Sequence, residues 1–160
     1  MAWSSPVTDW AATDYFNVAD WERIHDNAAY INAQITSVLG YTISTVTISD
    51  PTTSTVINAT WLYNLNTLIT NINRMRSWLV QYYRAYLGSD LSDQLKDDYV
   101  AGVAAVTPNY ATVNQWENFL LVMYNMLDAW TPPTLSGAIS LGGGGNLEFG
   151  GGGNIEFGGG

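Results

Sequence analysis

Few side chains in this chain are of a type and spacing that could do chemistry. The one histidine, His25, is followed by Asp26. An imidazole acts as a general base only beside a nucleophile and with a third group to orient it. No such company is readable around His25, and a helix-surface residue is the plainer reading. Asp93, Asp97 and Asp98 stand at helical spacing. A calcium loop would need more oxygen ligands and a glycine turn, so a solvated acidic face is expected. The four-glycine blocks near the end are not phosphate loops, because no Lys-Ser/Thr follows them and no helix opens there. Asn58-Ala59-Thr60 matches a glycosylation sequon, but Asn58 also reads as a helix cap. No catalytic, metal-binding or cofactor-binding residue is assigned, and the chain is read as a non-enzyme.

Composition narrows the partners. The 160 residues carry a net charge of −9, with five Lys and Arg against fourteen Asp and Glu. Neutralising phosphates takes clustered cations, so nucleic acid is not an expected partner. Docking on anionic lipid is disfavoured for the same reason. There is no run near the ~20 apolar residues of a membrane span. Cysteine is absent, which excludes disulfides and thiolate metal sites. MAWSSPVTDW has neither the basic nor the apolar region of a secretory signal, so synthesis in a cytoplasm without a signal peptide is expected.

The elements that would position these residues are mainly helical. Residues 1–16 read as an extended N-terminal arm. Asn17 then caps a helix, with Asp20 at its third position. Trp21, Ile24, Ala28, Ile31, Ile35 and Val38 alternate by three and four, and Gly40 suits the C-cap. Tyr41 to Val56 is either a short strand through Ile43, Val46 and Ile48 or a loop over the helices. A second helix runs from Asn58 to Leu87, about 45 Å, on a seam of Trp61, Leu65, Leu68, Ile72, Met75, Leu79, Tyr82 and Tyr86. Leu62, Ile69 and Tyr83 form a second row. A shorter helix is expected over 91–106, with Leu95 and Tyr99 inward. Thr112, with Gln115 completing a capping box, opens the last, which carries Trp116, Phe119 or Leu120, Met123, Leu127 and Trp130. The fold class is therefore mainly α: a bundle of about four helices over 17–133, an extended arm before it, and a glycine-rich tail over 134–160 with a β-like or extended repeat.

That tail has a phase. Ala138-Ile139-Ser140-Leu141, Asn146-Leu147-Glu148-Phe149 and Asn154-Ile155-Glu156-Phe157 recur every eight residues, separated by glycine blocks. Each unit is apolar at its second and fourth positions, which is strand alternation. An even period keeps phase, so an extended chain would point all six apolar side chains one way. One such strip cannot bury itself. Copies could wrap around a common axis, a partner could order the tail, or it could be a plain linker. The alternation favours the first. Glu148 and Glu156 would then form rings of like charge, more naturally solvated than cation-binding.

One stretch carries a resemblance. Trp3, Pro6, Thr8-Asp9-Trp10, Asp14-Tyr15-Phe16-Asn17, Asp20-Trp21, Arg23-Ile24 and Asn27 resemble the N-terminal pattern of short proteins encoded in tail modules of phages and prophages of Gram-positive bacteria. The likeness covers about a fifth of the chain and brings no catalytic residues. It implies a virion structural part of the tail tip, baseplate or fibre, located in the phage tail. The arm, with Trp3, Trp10 and Tyr15, would dock on a neighbouring tail or fibre protein. Ile139, Leu141, Leu147, Phe149, Ile155 and Phe157 would drive self-assembly, as a homotrimer. Two alternatives stand beside this: a module binding a host-surface glycan or protein receptor, and a glycine-rich bacterial surface protein unrelated to phage.

Overall fold

A computed structural model describes residues 2–52, 55, 58–86, 95, 108–131, 139–141 and 145–147. Three long helices carry the first unit, residues 1–130. α1 spans Val18–Leu39. Asn17 caps it from an extended backbone: its Oδ1 accepts the N–H groups of Ala19 at 2.8 Å and Asp20 at 3.3 Å. Asp20 Oδ2 reciprocates by accepting the N–H of Asn17 at 3.0 Å, closing the capping box. At the other end Gly40 sits at φ +68°, the left-handed conformation that ends a helix and suits a residue without Cβ. Trp21, Ile24, Ala28, Ile31 and Ile35 are buried as the spacing predicts, whereas Val38 lies at the exposed margin.

α2 spans Ala59–Tyr86. Asn58 Oδ1 accepts from the N–H groups of Thr60 and Trp61 at 2.9 and 3.1 Å, so this asparagine does cap the helix. Leu65, Leu68, Ile72, Met75 and Leu79 are almost wholly enclosed, and Ile69 and Tyr83 widen the stripe. Trp61 and Tyr82 are half-buried.

α3 spans Tyr110–Asp128 and starts earlier than the sequence reading placed it. Its cap is Asn109, whose Oδ1 accepts from the N–H and the hydroxyl of Thr112 at 2.9 and 3.0 Å. Thr112 is thus the third helical residue rather than the cap. Two candidates three residues apart compete, and the amide oxygen of asparagine wins the backbone N–H. Val113, Trp116, Phe119, Leu120, Met123 and Leu127 face the core, while Trp130 lies past the helix end and is half-buried. Each helix packs against the other two. Of the helix expected over 91–106, Tyr99 lies outside the described residues; Leu95 is helical and fully buried.

Between α1 and α2, residues 41–52 form a loop without strand pairing. Its alternation is satisfied differently. Ile43 and Ile48 insert into the core, and Val46 is exposed. The backbone is held by side chains instead of a neighbouring strand: Asn32 Nδ2 donates to the Ile43 carbonyl at 3.2 Å, and Arg74 to that of Ser44 at 3.3 Å.

Residues 131–160 form the second unit. Within it β1 (Ile139–Leu141) and β2 (Gly145–Leu147) pair antiparallel, with Ile139 opposite Leu147, Ser140 opposite Asn146 and Leu141 opposite Gly145. The chain direction is thus reversed between β1 and β2. Ile139 and Leu147 occupy the same position in consecutive repeats, so the first two units meet by folding back rather than by running on as one extended strip.

Candidate functional site

The residues of the N-terminal pattern converge on one place, and the place is internal to the chain. Residues 2–16 are extended and lie back over the helices. Two asparagines hold them. Asn27 of α1 accepts the N–H of Ser4 at 2.9 Å and donates to its carbonyl at 2.8 Å. Asn114 of α3 does the same for Trp10, at 2.8 and 3.0 Å. A carboxamide offers one donor and one acceptor side by side, so it can complete both backbone bonds of one residue as a paired strand would. Asn71 of α2 repeats the device on Val46, at 3.0 and 2.8 Å.

Aromatic contacts fill the space between the clamps. Trp3 stacks on Tyr124 with ring centroids 4.2 Å apart and leans on Tyr30 at 5.7 Å. Trp10 is buried against Phe16, centroids 6.1 Å apart, and the Arg23 guanidinium lies 5.9 Å from its ring. Apart from the closer Trp3–Tyr124 stack, these geometries are the usual ones for aromatic and cation–π pairs.

Arg23 also joins α1 to α3. Its Nε and Nη2 donate to Glu117 Oε1 at 2.9 and 2.5 Å, and its Nη1 to Asp20 Oδ1 at 2.9 Å. Glu117 has no exposed surface. Burial pushes its carboxyl above the ordinary glutamate range, against the opposing pull of the Arg23 hydrogen bond and charge. Burial lowers the Arg23 pKa, but the hydrogen bonds and charges of Glu117 and Asp20 outweigh it, and the net shift is upward. A carboxylate so enclosed meets no substrate; what it does is fasten α3 to α1.

His25 belongs to a third fastening. Its Nδ1 lies 2.5 Å from Asp50 Oδ1, which also accepts Trp21 Nε1–H at 3.1 Å. The loop is thereby tied to α1, and the neighbour Asp26 is exposed. Among the described residues no group of three His, Asp or Glu could hold a metal ion, and no helix is long and apolar enough to cross a membrane. The aspartates 93, 97 and 98 lie outside the described residues.

The candidate interaction residues thus separate. Trp3 and Trp10, expected to reach a neighbour, are packed within their own chain. A stretch without helical or strand period looks the same whether it projects or folds back, and the partner that folds it back, Asn114, is 104 residues from Trp10. Tyr15 alone of the three is free, at 89% exposure beyond a turn in which Asp14 N–H donates to the Ala11 carbonyl at 3.0 Å. Ile139, Leu141 and Leu147 stand in the paired strands; Phe149, Ile155 and Phe157 lie outside the described residues. The clamps and Glu117 escaped the sequence reading, although a signal exists. Asn27 and Asn71 each precede a buried seam residue, Ala28 and Ile72, and Glu117 falls four after Val113 and three before Leu120. A polar side chain inside an apolar stripe must find a partner. No protein family, curated protein or solved structure matches this chain.

Proposed function

We propose that the chain is a non-enzymatic structural protein of a phage virion, part of a tail tip, baseplate or fibre. The helical unit serves as a rigid mount and the glycine-rich tail joins copies of the chain, as a trimer. One observation carries the reading. Trp3, Trp10, Asp20, Arg23 and Asn27, which spell much of the N-terminal pattern, all build a single intramolecular buttress. The pattern therefore specifies a shape, as an assembly part requires, and its side chains are spent on holding that shape. Tyr15, exposed beyond the turn, is the point at which the mount meets a neighbouring virion protein. An isolated two-stranded ladder is marginal in water, so the tail gains by meeting further copies.

The test is light-scattering mass after gel filtration, on the full chain and on a version ending at Thr134. The full chain should be a trimer or larger and the shortened one a monomer with its helicity intact. Equal mass for both would overturn assembly through the tail.

A further inference from the structure

Beside the N-terminus of α1 the helical unit holds an open cleft of about 660 Å³. Its walls include Phe16, Trp21 and Trp61, and Asn17, Glu22 and Thr55 stand at its margin. Trp21 is 1% exposed and acts as floor. Phe16 and Trp61 are half-buried, so both keep ring surface toward the opening. Trp21 and Trp61 lie 5.9 Å apart at 43°, so the Trp61 wall stands tilted against the Trp21 floor.

Three polar groups here have no use within the described residues. The Glu22 carboxylate makes no hydrogen bond or ion pair. Trp61 Nε1–H is neither bonded nor enclosed. Asn17 spends its Oδ1 on the helix N–H groups, which leaves its Nδ2 donor. The cleft therefore offers aromatic faces, one anionic acceptor and two neutral donors. Because Asn17 and Asp20 already satisfy the first amides of α1, the helix end is no anion trap, and Glu22 repels negative charge.

We propose that this cleft binds a neutral saccharide of two or three pyranose rings. A pyranose has the matching make-up. Its C–H face is apolar and faintly positive and lies on the negative face of an aromatic ring; its rim of hydroxyls both donates, to Glu22, and accepts, from Trp61 and Asn17. Size selects among ligands that like aromatic walls. Pockets of ~300–1,000 Å³ enclose drug-sized ligands, and a small quaternary ammonium would leave most of this cleft empty. The inference goes beyond the structural role proposed above, and the mass measurement on the shortened chain is independent of it.

The experiment follows the tryptophan indole N–H signals of the full ¹⁵N-labelled chain, with the Trp61 signal assigned by its loss in Trp61→Phe. Maltotriose, cellotriose and N,N′,N″-triacetylchitotriose are the probes, with an anionic sialyl-trisaccharide and tetramethylammonium as comparators. At least one neutral probe should move the Trp61 signal saturably, with a Kd on the order of 1 mM. Glu22→Gln, at an exposed position, should weaken that binding several-fold with helicity unchanged, and Trp61→Ala by about tenfold or more. No response to any neutral probe up to about 20 mM overturns the proposal. So does a response to tetramethylammonium or the anionic sugar as strong as to the best neutral one. An affinity untouched by both substitutions would put the saccharide elsewhere and overturn it equally.

Discussion

Asn27 does with one side chain what a neighbouring strand does with its backbone, and it does so fully buried. Removing it strands its Ser4 partners and opens the hold on the strap. Asn27→Ala should cost about 2 kcal/mol in urea unfolding, while Tyr15→Ala, at an exposed position, should stay within about 0.5 kcal/mol. Glu117 makes a pH-dependent contribution. Its pKa is raised in the folded chain, so the folded state holds this proton more tightly than the unfolded one. Stability from this group is therefore greatest on the acid side and declines as pH rises from about 4.5 through the raised value. Urea unfolding across that range should show a shallower decline in Glu117→Gln than in the natural chain. Equal slopes would mean that Glu117 titrates alike in both states. At this scale the sequence is legible where a residue acts locally. Asn17 as cap and Asp20 as third helical residue were each readable, and three residues apart they satisfy each other. Glu117 and Arg23 are 94 residues apart, and only the fold brings them together.

The helices were legible as elements because apolar period is a property of each alone. Leu65 to Leu79 on α2 gives the clearest case, five enclosed positions in strict three-four spacing. Boundaries were legible only where a single cap was on offer. Before α3 both Asn109 and Thr112 qualify, and the hydrogen bonds choose Asn109. Asn109→Ala should cost about 1 kcal/mol and Thr112→Ala clearly less, a ranking that thermal unfolding can read. Gly40 gives a different test. No atom lies within 4 Å of where its Cβ would be, yet its φ is +68°. Gly40→Ala should therefore cost roughly 1–2 kcal/mol through backbone conformation alone, without disturbing the packing. The segment 41–52 was illegible as strand or loop because its β-branched alternation fits both. What decides is Asn71, 25 residues from Val46, which supplies the partner a sheet would have supplied.

As a whole the helical unit draws two of its cations inward and leaves Arg74 exposed. Of the five Lys and Arg in the sequence, Arg23 braces two helices and Arg76 lies buried with its guanidinium 5.6 Å from the Phe119 ring. Its net charge was legible in the composition; the enclosure of those cations was not, since it depends on which helices meet. The same holds for the arm, whose aromatic residues announce contacts but not with whom. The clamps that settle this grip main chain only, and main chain is common to every amino acid except proline. Ser4 and Val46 are clamped yet exposed, so their side chains are free to drift. Over generations the strap and the loop can take on new outward-facing residues while their course across the helices stays fixed by Asn27 and Asn71. A set of diverged descendants should then keep these asparagines opposite positions that vary freely, a surface able to change what it offers without relearning how to fold.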